Sequence, residues 1–367
     1  MRCGRCRSIF NVPSNNRIVI AAAGGGKTTR IVDEVLALPE KRAAIITYTR
    51  NNIHEIQSKF HQRGRSIPEN VEILSWYTFL LREMARPYQD TKIDRRIDGI
   101  RWVETTSDRF ARKDDPDRYY LGGTSSIYSN KLAEFVEACN SASSGAVIRR
   151  LEQRFERVYI DEIQDVAGYD IDIIEAMLRS KLEVVLVGDP RQSTYSTNNS
   201  PRHKKFRGPD IVQKFKDWEK KRLAVLEHHV DTHRCNQKIA DLADSFYPLH
   251  ERTKSRNEKS TGHDGIFFVK ASSVSAYVEA FQPQVLRLKV TTDCLGLPAL
   301  NFGESKGMTF DRVLIFPHKK GTNWLRTGDY ECVSGVLAEL YVGVSRARYS
   351  VSFVHDGETA IVGSRFL

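Results

Sequence analysis

Long apolar runs are missing from this 367-residue chain. No stretch approaches the roughly 18 consecutive apolar residues of a membrane span, and Met1-Arg2-Cys3-Gly4-Arg5-Cys6-Arg7 lacks the apolar centre of a signal peptide. The expectation is a cytoplasmic protein with no membrane partner. Cysteine is scarce too: six residues, at 3, 6, 139, 235, 294 and 332, are too few for a disulfide framework and suit a reducing compartment. Cys3 and Cys6 form a C-x-x-C pair. A structural zinc site needs about four ligands, however, and no second pair follows at zinc-finger spacing, so a basic leader over residues 1–16 is the plainer reading. No internal repeat or low-complexity tract is present.

What is present suits a soluble globular protein: 40% apolar and 28% charged residues exclude wholesale disorder, collagen-like chains and membrane bundles. The length predicts about two domains. Lys and Arg number 56 against 46 Asp and Glu, and the net charge of +10 favours a polyanionic partner.

Short apolar runs at 17–22, 43–48 and 71–74 each lead into a polar turn and then a helical pattern, as at 53–60 and 77–84. Strand alternating with helix predicts a doubly wound parallel sheet, resumed at 158–161 and 184–189 around a helix at 171–178. Residues 86–145 are rich in charge and tyrosine, and read as an inserted, mainly helical subdomain. The polar, basic passage at 196–222 reads as a hinge and a loop facing nucleic acid, or simply as a solvated face. From about 223 a second set begins: strands at 224–227, 266–269, 285–288, 312–316 and 350–354, with helices at 236–246 and 333–344. The fold expected is α/β, with parallel sheets in two domains.

Ala21-Ala22-Ala23-Gly24-Gly25-Gly26-Lys27-Thr28 departs from G-x-x-x-x-G-K-[ST] only at its first position. Glycines let backbone N–H groups close on phosphate oxygens, Lys27 balances their charge, and Thr28 offers a hydroxyl to Mg²⁺. Arg157-Val158-Tyr159-Ile160-Asp161-Glu162-Ile163-Gln164-Asp165 then brings two adjacent carboxylates to a strand's C-terminal end. Asp161 is expected to hold Mg²⁺ and Glu162 to orient or deprotonate the attacking water. An Asp-Glu pair after a strand is also a common helix cap.

Together with Gly188-Asp189-Pro190-Arg191-Gln192-Ser193-Thr194-Tyr195, this order resembles the superfamily-1 helicases of the UvrD/Rep/PcrA type. Weaker matches follow in sequence: Thr47-Tyr48-Thr49-Arg50-Asn51, Ser75-Trp76-Tyr77-Thr78-Phe79, Thr232-His233-Arg234, Glu304-Ser305-Lys306-Gly307-Met308-Thr309-Phe310-Asp311 and Tyr341-Val342-Gly343-Val344-Ser345-Arg346-Ala347-Arg348. The resemblance implies two RecA-like P-loop domains, the first from 17–85 and 146–222 and the second from 223–367. It implies ATP and Mg²⁺ as cofactors and 3′-to-5′ movement on single-stranded DNA, with RNA still open as the track. Residues Ala23, Gly24, Gly25, Gly26, Lys27, Thr28, Thr29, Arg30, His233 and Gly307 would hold the nucleotide. Gln192 would sense the γ-phosphate, and Arg234 and Arg346 would act as arginine fingers. Thr49, Arg50, Asn51, Trp76, Tyr77, Phe79, Tyr195, Ser305 and Lys306 would line the strand track, although aromatics beside strands are more often core.

Three departures qualify the resemblance. The family's upstream glutamine motif is not visible in residues 1–20, His233 stands where a tyrosine is usual, and Thr309 replaces a glutamate. Lys306 follows Arg234 by only 72 positions, which leaves no room for a full second inserted subdomain. Two activities are therefore open: a compact translocase, or an ATP-gated nucleic-acid sensor that licenses a partner effector such as a nuclease. A protein partner in a DNA-processing or defence complex is expected for either.

Overall fold

The computed structural model describes residues 15–103, 107 and 110–366. Cys3, Cys6 and the rest of the leader through residue 14 lie outside the described residues. The first sheet begins with β1 (Arg17–Ala21), β2 (Ala43–Thr47) and β3 (Val71–Ser75). A side pair, β4 (Gly99–Arg101) and β5 (Ser126–Tyr128), interrupts it before β6 (Arg157–Ile160), β7 (Glu183–Gly188) and β8 (Val225–His229). The order is β3-β2-β6-β7-β1-β8, and every pairing is parallel. Runs such as Ala43–Thr47, buried at every position, can lie only between two covering layers. Helices Lys27–Ala37 and Arg50–Gln62 cover one face through Ile31, Val35, Ile56 and Phe60. Helices Leu132–Ala142, Tyr169–Leu178 and Ile211–Lys220 cover the other.

Two expectations are corrected here. The strand read as opening the second domain, near 224–227, is the edge of the first sheet, with Arg17 paired to Val225 and Ala21 to His229. Nothing local in such a run names the sheet it joins. The passage 196–222 is not a hinge throughout either, because its second half is an amphipathic helix with Ile211, Phe215 and Trp218 buried one face up. The chain leaves the first sheet at residues 230–235. Segment 86–145 is less helical than its composition suggests. It holds β4 and β5, short irregular turns and helix Leu132–Ala142, and it shares one core with the first sheet through Tyr120, Leu121 and Ile127.

Within the crossing, β9 (Asp231–Thr232) pairs in parallel with β10 (Lys254–Ser255). The second sheet follows: β11 (Gly265–Val269), β12 (Gln284–Arg287), β13 (Leu300–Asn301), β14 (Phe310–Phe316), β15 (Ala347–Val354) and β16 (Ser364–Phe366), in the order β13-β12-β14-β15-β11-β16 and again parallel. At its centre is β14, where Val313 and Ile315 are fully buried against helices Gln237–Ser245 and Leu337–Ser345 and Leu314 is fully buried on the opposite face against helix Val274–Phe281. The molecule is thus two parallel-sheet α/β domains of RecA-like form. Among the described residues no helix is long and apolar enough to cross a membrane.

Candidate active site

The glycine loop lies at the C-terminal end of β1, under the segment that crosses between the sheets. Gly24 and Gly26 have φ of 75° and 74°, a region costly for residues with a Cβ. A Cβ on Gly24 would lie 2.5 Å from the Arg234 Cβ, and one on Gly25 would lie 2.9 Å from the Asp231 carbonyl oxygen. The loop is held from above: the His233 N–H donates to the Gly24 oxygen at 3.0 Å, and the Thr232 hydroxyl donates to the Ala23 oxygen at 2.6 Å. Helix Lys27–Ala37 starts without a side-chain cap and without an acid in its first turn. Its N-terminal N–H groups and positive dipole end are thereby left to an external anion. Lys27 is partly buried, and desolvation lowers its pKa against the pull of Asp189, Glu162 and Asp161.

β6 delivers the acids. The Thr28 hydroxyl lies 3.4 Å from Asp161 Oδ2, a neutral and an anionic oxygen side by side, as a hard divalent cation requires. Burial, with Glu162 beside it, pushes the Asp161 carboxyl up to about 7. Glu162 sits at φ 58°, a left-handed conformation that costs a non-glycine residue on the order of 1–3 kcal/mol and directs its carboxylate. Burial alone would raise its pKa, but Lys306 and Lys27 hold it below the ordinary value. Gln164 also donates to Glu162 Oε2.

The opposite wall comes from both sheets. Asp189, fully buried, accepts from Gln192 Nε2 at 3.0 Å, Arg191 Nε at 2.9 Å and the Tyr341 hydroxyl at 2.9 Å. Arg191 outweighs burial, and the carboxyl falls to about 2. Arg346, 1% exposed, donates from Nη2 to Gln192 Oε1 at 2.6 Å and is steadied by the Val342 and Met308 carbonyls. Burial, then Arg234, lowers its pKa to about 9. Arg234 donates to the Ser345 oxygen at 3.0 Å. A cavity of about 440 Å³ brings together residues 24–29, Glu162, Gln192, His233, Arg234, Gly307 and Arg346. Three expected members fall outside its lining: Asp161 is buried beside Thr28, Arg30 turns to His229 Nε2 at 2.8 Å, and Ala23 is buried beneath Thr232. Four lining residues were missed, namely Glu55, Lys59, Thr309 and Arg348. Thr309 and Arg348 stood inside runs already matched, and the signal for Glu55 and Lys59 was their i, i+4 spacing on the polar face of the helix predicted at 53–60.

A second cavity, about 340 Å³, opens on the other side of Glu162 and includes Thr49, Asn51, Tyr195 and Lys306. Thr49 caps its helix by accepting from the Asn52 N–H at 3.1 Å, and Arg50 beside it is exposed. Tyr195 is 54% exposed. The other aromatics do not face a track. Trp76 and Phe79 are fully buried and Tyr77 nearly so, because Ser75 caps a turn that tucks Trp76 beneath Tyr48 and against Phe79. The Tyr77 hydroxyl is taken by the Thr197 oxygen at 2.8 Å. Ser305 is also turned inward, donating to the Phe302 oxygen at 2.7 Å. Lys306 crosses the cleft to Asp165 Oδ2 at 2.7 Å and Glu162 Oε2 at 3.3 Å, not outward. Trp102 was overlooked: it is 65% exposed and edge-on to Tyr77 at 4.7 Å, and its signal was a lone tryptophan beside Arg101. Among the described residues no group of three His, Cys, Asp or Glu could hold a metal ion.

Residues 7–198 match the family described as an AAA domain, and residues 129–355 match the viral superfamily 1 RNA helicase core domain. The chain belongs to the superfamily-1 helicases, a nucleotide-dependent P-loop family. It is similar to Gabija protein GajB of Bacillus cereus (strain VD045), with 27% identity over 256 residues, 65% of this chain and 47% of that one. It is 32% identical over 85 residues to RecBCD enzyme subunit RecB of Mycolicibacterium smegmatis, covering 23% of this chain and 7% of that one. The chain therefore spans less than half the length of either. Among solved structures, the arterivirus nonstructural protein 10 helicase aligns over 92% of this chain and 59% of its own at 14% identity and a TM-score of 0.48. The PRRSV helicase aligns over 93% and 52% at 13% identity and a TM-score of 0.47.

Proposed function

We propose that this core hydrolyses ATP in the cleft between its two sheets and uses the cycle to move 3′ to 5′ along single-stranded DNA, in the manner of the UvrD type. The observation that carries the reading is the convergence of Lys27, Glu162 and Gln192 from the first sheet with Arg234 from the crossing segment and Arg346 from the second sheet around one cavity. The residues present fit a nucleotide and its cation: the cradle leaves no room for a Cβ at Gly24 or Gly25, the helix end above it is uncapped, and Thr28 adjoins Asp161. Mg²⁺, when bound, neutralises phosphate charge and orients the terminal phosphate. Residues 24–28 and Lys27 bind the phosphates, Glu162 takes the proton of the attacking water, and Arg234 and Arg346 meet the charge that develops as the bond breaks. Closure around ATP and reopening after hydrolysis would alternate the grip on a strand running past Thr49, Arg50, Asn51 and Tyr195.

The test is ATP turnover with and without oligodeoxythymidylate, combined with streptavidin displacement from biotinylated oligonucleotides. Stimulated turnover with displacement from the 5′ end is the expected result. Absence of turnover in the presence of Mg²⁺ and either DNA or RNA would sink the reading; stimulation by RNA alone would reassign the track.

One observation favours a second reading, an ATP-gated switch in the cytoplasm that licenses a partner effector. One of the two curated relatives this chain matches is named as an enzyme subunit, RecBCD enzyme subunit RecB. Stimulated turnover without displacement would select the switch.

A further inference from the structure

Lys306 lines the outer of the two cavities and reaches Glu162, which borders both. It stands on a turn after β13 that is locked by its own bonds: Ser305 donates to the Phe302 oxygen at 2.7 Å, and Glu304 Oε2 accepts from the Asn301 N–H at 2.7 Å. From that rigid base the flexible lysine stem crosses to the first domain, where its ammonium holds Asp165 and Glu162 together. Lys306 and Gln164 bind the same oxygen of Glu162, Oε2. Glu162 also forms part of the wall of both cavities. The outer cavity surrounds Lys306 with the neutral hydrogen-bonding groups of Thr49, Asn51, Thr194 and Tyr195 and with three carboxylates: Glu162 and Asp165, which hold the ammonium, and Glu304, which is engaged with the turn.

We propose that Lys306 is a strand-responsive latch on the catalytic carboxylate: latched, it holds Glu162 and Asp165, and a backbone phosphate entering the outer cavity draws it away and frees Glu162. This deepens the motor reading and rests on it. The chemistry is a competition among anions for one ammonium. A carboxylate oxygen held by both an ammonium and an amide has a fixed orientation and an occupied lone-pair side, which opposes its action as a base. A phosphodiester flanked by hydroxyl and amide groups offers the ammonium an alternative partner a short side-chain swing away. Lys306 is on this account a positioning residue, acting through Glu162.

Lys306→Met tests it. Strand-free turnover should rise about tenfold, the scale of one lost charge-assisted contact. The stimulation by oligodeoxythymidylate should fall toward unity, with KM for ATP unchanged. Lys306→Arg should restore the wild-type ratio. Because Lys306→Met leaves Asp165 buried without its cation, the pair Lys306→Met/Asp165→Asn is measured alongside and should behave the same. Strand-free turnover that stays level or falls in both folded variants overturns the latch. If wild type is stimulated and both variants keep its ratio, the latch fails and the motor reading survives. A wild type that strands do not stimulate removes both.

Discussion

Arg346 and Gln192 are 154 positions apart, follow different sheets, and meet through a 2.6 Å hydrogen bond from guanidinium Nη2 to amide Oε1. The amide is committed on both sides, since its Nε2 donates to Asp189. Gln192 therefore couples a cation of the second domain to a fixed anion of the first, and anything that moves Arg346 is transmitted to the wall of the nucleotide cavity.

Arg346→Ala should lower turnover roughly 10³-fold, as loss of an arginine finger does. ATP affinity should change little, because residues 24–28 still bind the phosphates. Phosphate release measured beside equilibrium binding of a fluorescent ATP analogue checks the split. Equal losses in both would assign Arg346 to ground-state binding.

Lys27→Ala should abolish hydrolysis by removing the cation beneath the phosphates. Glu162→Gln should retain ATP binding and trap a closed, strand-bound complex, visible as slow dissociation of labelled DNA in ATP. Normal turnover in the Glu162→Gln protein would remove that residue from the catalytic role.

Two tryptophans should behave in opposite ways. Trp76 has no exposed surface, so Trp76→Ala should cost about 3–5 kcal/mol of stability in urea unfolding and leave strand affinity of the folded fraction intact. Trp102 is 65% exposed, so Trp102→Ala should leave stability nearly unchanged. If bases stack on it, strand binding should weaken by about 1–3 kcal/mol.

Acid should destabilise the first domain through Glu175. Burial would raise its pKa, but Lys214 at 2.7 Å, Arg179 at 2.7 Å and Trp218 Nε1 at 2.9 Å outweigh it and push the carboxyl down to about 2. With the folded value below the unfolded 4.5, the contribution is complete above about pH 4.5 and is lost as pH falls toward 2. Glu175→Gln should lower stability by about 2–3 kcal/mol at pH 7 and by much less near pH 2. Urea unfolding at the two pH values measures the difference, and an equal loss at both would discount the charge.

Legibility followed locality. The glycine loop, the Asp161-Glu162 pair and the buried strands were readable because each is a contiguous run whose chemistry or periodicity is complete within a few residues. Glu55 and Lys59 were not, since a polar helix face looks alike whether it meets solvent or nucleotide. Trp76, Phe79 and Ser305 were misread for the converse reason: a side chain's type does not say which way a capped turn rolls it. The same limit put Val225–His229 with the wrong sheet, for a half-exposed edge strand carries no mark of its neighbour.

The amino-acid order alone determined that this chain would form parallel α/β layers and carry a phosphate loop with a carboxylate pair, because strand burial, glycine freedom and adjacent acids are local properties. Only the tertiary structure decided that Arg346 reaches Gln192 and that Lys306 turns inward to Glu162 and Asp165. Those contacts depend on how two separately folded sheets are set against each other by a crossing of six residues, at 230–235, a relation that no single run of sequence contains.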